Sequence, residues 1–148
     1  MFQLDAQDRQ ALTTFLQDMV RIPSESTQEK EMAERLAAEM ERVGFRDVRF
    51  DRIGNVVGRI GSGSGRVLLY NGHMDTVGVG DPATWTYDPY GAEIVDGVMH
   101  GRGTSDMKGA LAAMVYGAKM LVDQEVPLRG ELYLAGAVQE EPCEGLGM

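Results

Sequence analysis

The sequence predicts an α/β fold, with a sheet covered by helices on both faces. Three observations predict it. Apolar residues recur at helical spacing in three separate segments, short apolar runs of strand length lie between them, and two of those runs are continuous rather than alternating. A strand that alternates apolar and polar residues has one wet face, whereas a continuous apolar run suits a strand buried on both sides. Helical segments interleaved with such runs are the pattern of an α/β sheet.

The first helix is carried by Leu12, Phe15, Leu16, Met19 and Val20, spaced i, i+3, i+4, i+7 and i+8, with Asp5 as its N-cap and Pro23 beyond its end. A second follows the cluster Ser24, Ser26 and Thr27, puts Met32, Leu36, Met40 and Val43 on one face, and stops at Gly44. The period then changes to that of strands. Val48 and Phe50 alternate with polar neighbours, Asn55 to Ile60 forms a second strand, and the turn GSGSG (61–65) leads into the apolar strand Arg66 to Tyr70. Asp96-Gly97, between Glu93–Val95 and Val98–Met99, signals a tight hairpin. Leu111, Met114, Val115, Ala118, Leu121 and Val122 mark a third helix, and ELYLAGAV (131–138) a buried strand. The methionines fall on core stripes. No internal repeat is visible.

At 148 residues the chain is about one domain. With 43% hydrophobic and 25% charged residues it has the composition of a soluble globular protein. The apolar runs are too short to span a bilayer, and the N-terminus lacks a basic segment followed by an apolar one, so the expected location is the cytoplasm, with no membrane partner. A net charge of −9 argues against nucleic acid as a partner, because phosphate binding draws on Lys and Arg. The single cysteine, Cys143, makes no internal disulfide and is a weak candidate nucleophile.

Chemistry gathers where apolar strands end. His73 and Asp75 follow one strand and Glu140 and Glu141 the other, and ligands of open α/β sheets bind beyond the carboxyl ends of strands. In an extended chain residues i and i+2 point the same way, so Asp75 can orient a histidine that binds metal through its other nitrogen. The segment GRGTSDMKG (101–109) opens the third helix and holds Asp106 near that helix's positive end. It lacks the spacing of a phosphate-binding loop, as GSGSG lacks that of a dinucleotide fingerprint. Adjacent carboxylates at 140 and 141 repel unless a cation or a shared proton compensates, and one of them, with a raised pKa, suits a general base. Each feature alone also has a plain structural explanation: His73 capping a turn, Asp106 capping a helix, the glutamates forming an exposed acidic loop before Pro142. Together, one imidazole and two carboxylates suit zinc, or less selectively manganese or cobalt. Three ligands are too few for two ions.

LLYNGHMDTV (68–77), GRGTSDMKG (101–109) and AVQEEPCEGLG (137–147), in this order, resemble the N-terminal motifs of the co-catalytic zinc exopeptidases and deacylases, a family that includes aminoacylase, acetylornithine deacetylase, succinyl-diaminopimelate desuccinylase and glutamate carboxypeptidases. DTVGVGDPATWTYDP (75–89) and VQEEPCEGL (138–146) are similar in particular to a hydrolase branch linked to selenium metabolism. The resemblance implies a three-layer catalytic domain with a mixed, mostly parallel sheet. It implies two divalent ions, His73 ligating one, Glu141 the other and Asp106 bridging them, with Glu140 as general base and Asp75 orienting the site. It also implies hydrolysis of an amide bond in a small N-acyl amino acid or peptide, and a cis peptide at Asp106-Met107. Family members continue through a further acidic ligand, a smaller dimerisation and lid domain and a final histidine, for which His100 does not substitute. Residues 1–148 are thus expected to be the N-terminal part of a catalytic domain, inactive alone, within a parent that forms a homodimer. A non-catalytic binding or scaffold protein that retains the fold is the alternative.

Overall fold

The computed structural model describes residues 3–63 and 65–142; Cys143 and the end of the third motif lie outside them. The first helix, α1 (Ala6–Arg21), starts where the sequence places it, the Asp5 carboxylate accepting the Asp8 N–H at 2.7 Å. The second, α2 (Lys30–Arg42), carries the expected Met32, Leu36 and Met40 stripe and is followed by Gly44 in the left-handed region at φ +98°. Its N-cap is Glu29, which makes no side-chain bond to its own helix. Ser24 and Ser26, expected to start this helix, serve a different end of the molecule.

The strands are β1 (Arg46–Phe50), β2 (Val56–Gly61), β3 (Arg66–His73) and the hairpin pair β4 (Glu93–Val95) and β5 (Val98–His100). Helix α3 (Gly109–Asp123) and strand β6 (Gly130–Ala137) follow. The main sheet has the order β1-β2-β6-β3. Two of its ladders, β1–β2 and β2–β6, are antiparallel, and only β3–β6 is parallel. The sheet is therefore mixed, as the resemblance implies, but among the described strands it is not mostly parallel. A parallel pair needs a long crossover, and α3 supplies one only between β3 and β6; β1 and β2 are joined by a short turn.

Helices flank the sheet, and those among the described residues cover one of its faces. Residues from α1, α2 and α3 share one apolar cluster with Val56 and Ile60 of β2 and Leu132 and Leu134 of β6. These strand residues alternate along their strands, so they mark a single face, and among the described residues the helices lie on it. The opposite face carries an ion pair between Arg59 and Glu131, and Val67 and Leu69 are 63% and 57% exposed there. Strand β3 is thus an edge strand here, not a buried one; an apolar run shows that a strand wants neighbours without saying where they come from.

Two glycines paired across the parallel ladder, Gly72 and Gly136, let helices close on the end of the sheet that matters. A Cβ at Gly72 would sit 2.8 Å from Met107 Cε and 3.0 Å from Leu111 Cδ2, and one at Gly136 2.5 Å from Leu36 Cδ2. His73 and Ala137 are the next residues along the two strands.

Candidate metal centre

Because β3 and β6 run parallel, both chains leave the sheet at the same end, His73 from one and the segment 138–141 from the other. Asp106 arrives from a third direction. It sits in the wide turn Thr104–Lys108 ahead of α3, with extended dihedrals (φ −122°, ψ 97°) and a cis peptide to Met107. Behind this turn, Lys108 is fully buried and its ammonium donates to the carbonyls of Met19 and Ile22 at 2.9 and 2.8 Å. Carbonyls at a helix C-terminus are short of intrahelical donors, and the lysine adds one both to Ile22 and to Met19, whose carbonyl also accepts the Ile22 N–H, tying the turn to α1. Burial pushes that ammonium's pKa down to about 8.

His73 Nε2 lies 2.9 Å from Asp106 Oδ1 and 3.8 Å from Glu140 Oε2. The Nδ1 atom of the same ring is 2.9 Å from the Asp75 backbone carbonyl and 3.5 Å from its carboxylate. A carbonyl only accepts, so Nδ1 carries a proton and Nε2 is the nitrogen turned to the cluster. Burial alone would lower the His73 pKa, but the hydrogen bond to Asp106, the Asp75 carbonyl and the charges of Asp75 and Glu140 raise it above its ordinary value. His73, Asp106 and Glu141 each offer a ligand atom within 4.8 Å of the others. One imidazole nitrogen with two carboxylates is a donor set that fits a divalent cation of the zinc, manganese or cobalt type.

Asp75 is 0% exposed, and its carboxylate faces the third motif. Oδ1 accepts the Glu140 N–H at 3.1 Å, while Oδ2 accepts the Glu141 N–H at 3.1 Å and the Ser26 hydroxyl at 2.6 Å. Burial alone would raise its pKa, but these three donors hold it below the usual carboxylate range. The Val77 N–H donates to Glu141 Oε1 at 3.2 Å, which places that side chain across the segment following Asp75.

The structure therefore brings His73, Asp75, Asp106, Glu140 and Glu141 to one place. Asp106 does not cap α3, whose N-cap is Lys108 without a side-chain bond. His100 goes elsewhere, its ring packing on Tyr87 with centroids 4.2 Å apart. Four supporting residues were missed by reading along the chain. Ser24 Oγ donates to the Met74 carbonyl at 2.9 Å and accompanies a Thr76 N–H bond to its own carbonyl at the same distance. Ser26, Glu29 and Asn55 reach Asp75, the Gln139 N–H and the Val138 N–H respectively. Ser24 and Ser26 read as a helix start and Asn55 as the start of a strand, and nothing local links any of the four to residues 49 to 110 positions away.

The chain and its fold have known relatives. The sequence signature of the group described as Peptidase family M20/M25/M40 matches residues 69–148. The chain is 47% identical over 142 residues to the uncharacterised protein YgeY of Escherichia coli K12, covering 95% of this chain and 35% of that one. It is 42% identical over 127 residues to succinyl-diaminopimelate desuccinylase 1 of Ruegeria sp., covering 84% of this chain and 33% of that enzyme. Among solved structures, the M20 family metallo-carboxypeptidase Sso-CP2 of Sulfolobus solfataricus superposes with a TM-score of 0.76 at 26% identity, over 94% of this chain and 32% of that one. The chain spans about a third of the length of the curated relatives it matches.

Proposed function

This chain belongs to peptidase family M20/M25/M40, and on that premise we propose that the protein carrying it is a metal-dependent hydrolase of an amide bond in a small N-acyl amino acid or peptide. One observation supports this above the others: the imidazole and carboxylates of three distant segments converge, with Glu140 Oε2 3.8 Å from the same nitrogen that faces Asp106. Of two divalent ions, His73 would hold one and Glu141 the other, with Asp106, the most exposed of the three, shared between them; zinc is the expected metal and cobalt or manganese the substitutes. Residues 1–148 would then form the N-terminal part of the catalytic domain, acting with the remaining ligands of a longer, cytoplasmic parent that dimerises.

A divalent ion bound there supplies Lewis acidity, polarising a carbonyl and lowering the pKa of a water to ~7. The protein's own groups do the rest. Glu140 takes the proton of the attacking water and returns it to the leaving amine, a role that needs its carboxylate free of strong partners and close to the cleft. Asp75 holds the peptide groups on either side of Glu140, so both side chains start from a fixed base. His73 is oriented by the Asp75 carbonyl. The decisive experiment is Glu140→Gln in the whole protein: hydrolysis of N-acyl amino acids should fall by roughly 10²–10⁴-fold while metal content is unchanged. A fully active variant would show that the base is a different group, and a wild-type protein that binds metal but hydrolyses no amide would favour a binding role.

A further inference from the structure

Strand β6 ends at Ala137, and the next four backbone amides all find side chains rather than backbone as acceptors. The Val138 N–H donates to Asn55 Oδ1 at 2.9 Å, Gln139 N–H to Glu29 Oε1 at 3.0 Å, and the N–H groups of Glu140 and Glu141 to the two oxygens of Asp75 at 3.1 Å each. Three acceptor residues from three separate segments of the chain thus hold four consecutive residues, the last two of which carry the proposed base and a proposed ligand. Within this run Gln139 is in the left-handed region at φ +57°, which a non-glycine residue keeps only where its surroundings enforce it. The group that grips this residue's own amide is Glu29.

Glu29 is only 5% exposed and occupies the N-cap of α2, yet its side chain makes no capping bond there. Its carboxylate reaches 110 residues along the chain instead, while the start of α2 offers the favourable end of a helix dipole to its charge. We infer that Glu29 is a positioning residue for the general base: by accepting the Gln139 N–H it holds the left-handed turn that aims Glu140 at the space between His73 and Asp106. Its assignment rests on Glu140 being the base. Asn55 and Asp75 fix the residues on either side, and Glu29 sets the angle between them.

Glu29→Asp and Glu29→Gln separate positioning from folding. Aspartate keeps the charge and caps helices better than glutamate, but its oxygen falls short by about one bond; glutamine keeps an acceptor at full reach and loses the charge. In the whole protein, Glu29→Asp should lower kcat ~10–100-fold, as sub-ångström to 1 Å misplacements do, with KM and zinc content within about twofold and the protein still folded. Glu29→Gln should keep most of kcat. Hydrogen exchange on the peptide spanning 138–141 should speed up in Glu29→Asp and stay near wild type in Glu29→Gln. Unchanged exchange in Glu29→Asp, or equal loss of kcat in both variants, overturns the inference. If the wild-type protein hydrolyses nothing, the proposed function fails and the exchange measurement still decides whether Glu29 holds this turn.

Discussion

Replacing Asp75 by asparagine should cost far more than one lost charge. Its buried carboxylate accepts from three donors, the Glu140 and Glu141 amides and the Ser26 hydroxyl. An asparagine must turn its NH2 toward one of the two backbone amides whichever way it flips, whereas the serine hydroxyl can rotate to suit. One buried N–H is then left without an acceptor, at ~1–3 kcal/mol, and the remaining bonds lose their charge assistance at roughly 1 kcal/mol in total. The sum is ~2–4 kcal/mol, a large share of a typical domain's ~5–15 kcal/mol. At a urea m-value of about 2 kcal/mol/M, the midpoint at pH 7 should fall by roughly 1–2 M at unchanged m. The pH dependence has a definite sign. A carboxylate whose folded pKa is depressed contributes stability above its unfolded value of ~3.9 and loses it as pH falls through the folded value, so wild type and variant should converge in acid. A midpoint within ~0.3 M of wild type at pH 7, or a difference that grows in acid, would refute the bonding described here.

Metal binding should be linked to the proton on His73. Its raised pKa means that the charged imidazole stabilises the metal-free fold below the unfolded value of ~6.5, and that this contribution disappears as pH rises through the folded value. A metal needs the neutral ring, so zinc affinity, measured by competition with a chromophoric chelator, should rise about tenfold per pH unit up to that value and then level off; a flat profile between about pH 5.5 and 8 would contradict it. Away from the site, Glu39 is 3% exposed and accepts from Arg35, Arg42 and the Tyr116 hydroxyl, which together keep its pKa low against the opposing effect of burial. Glu39→Ala should cost ~3 kcal/mol, the lower end for a broken buried pair because Arg42 is half exposed, and Tyr116→Phe ~1 kcal/mol, both read by urea denaturation.

Much of the fold was legible because its determinants are local. The methionine and leucine stripe of α2 needs only the 3.6-residue period, and Asp96-Gly97 makes its turn from two residues; both elements form where expected. The candidate ligands were legible for a chemical reason: His73, Asp106 and the Glu140–Glu141 pair are ionisable groups at the ends of apolar runs or helices, where a solvated surface alone does not explain them. Less legible was what the sheet does with its strands. The run Arg66–Tyr70 looks buried, but burial depends on what lies alongside, and among the described residues β3 has a partner strand on one side only.

Residue order along the chain determined the helices, the strands, the hairpin and the candidate groups for binding a cation, since each follows from periodicity, turn chemistry or charge within a few residues. Tertiary structure alone decided that β3 and β6 lie parallel and deliver His73 and Glu141 to one end. It also recruited Ser26 from an apparent helix start, Asn55 from the start of a strand and Glu29 from the N-cap of α2 to hold the segment carrying the glutamates. The reason is physical: a hydrogen-bond acceptor has no preference for partners near in sequence, so where a carboxylate goes is set by which unpaired amides the packed strands leave within its reach.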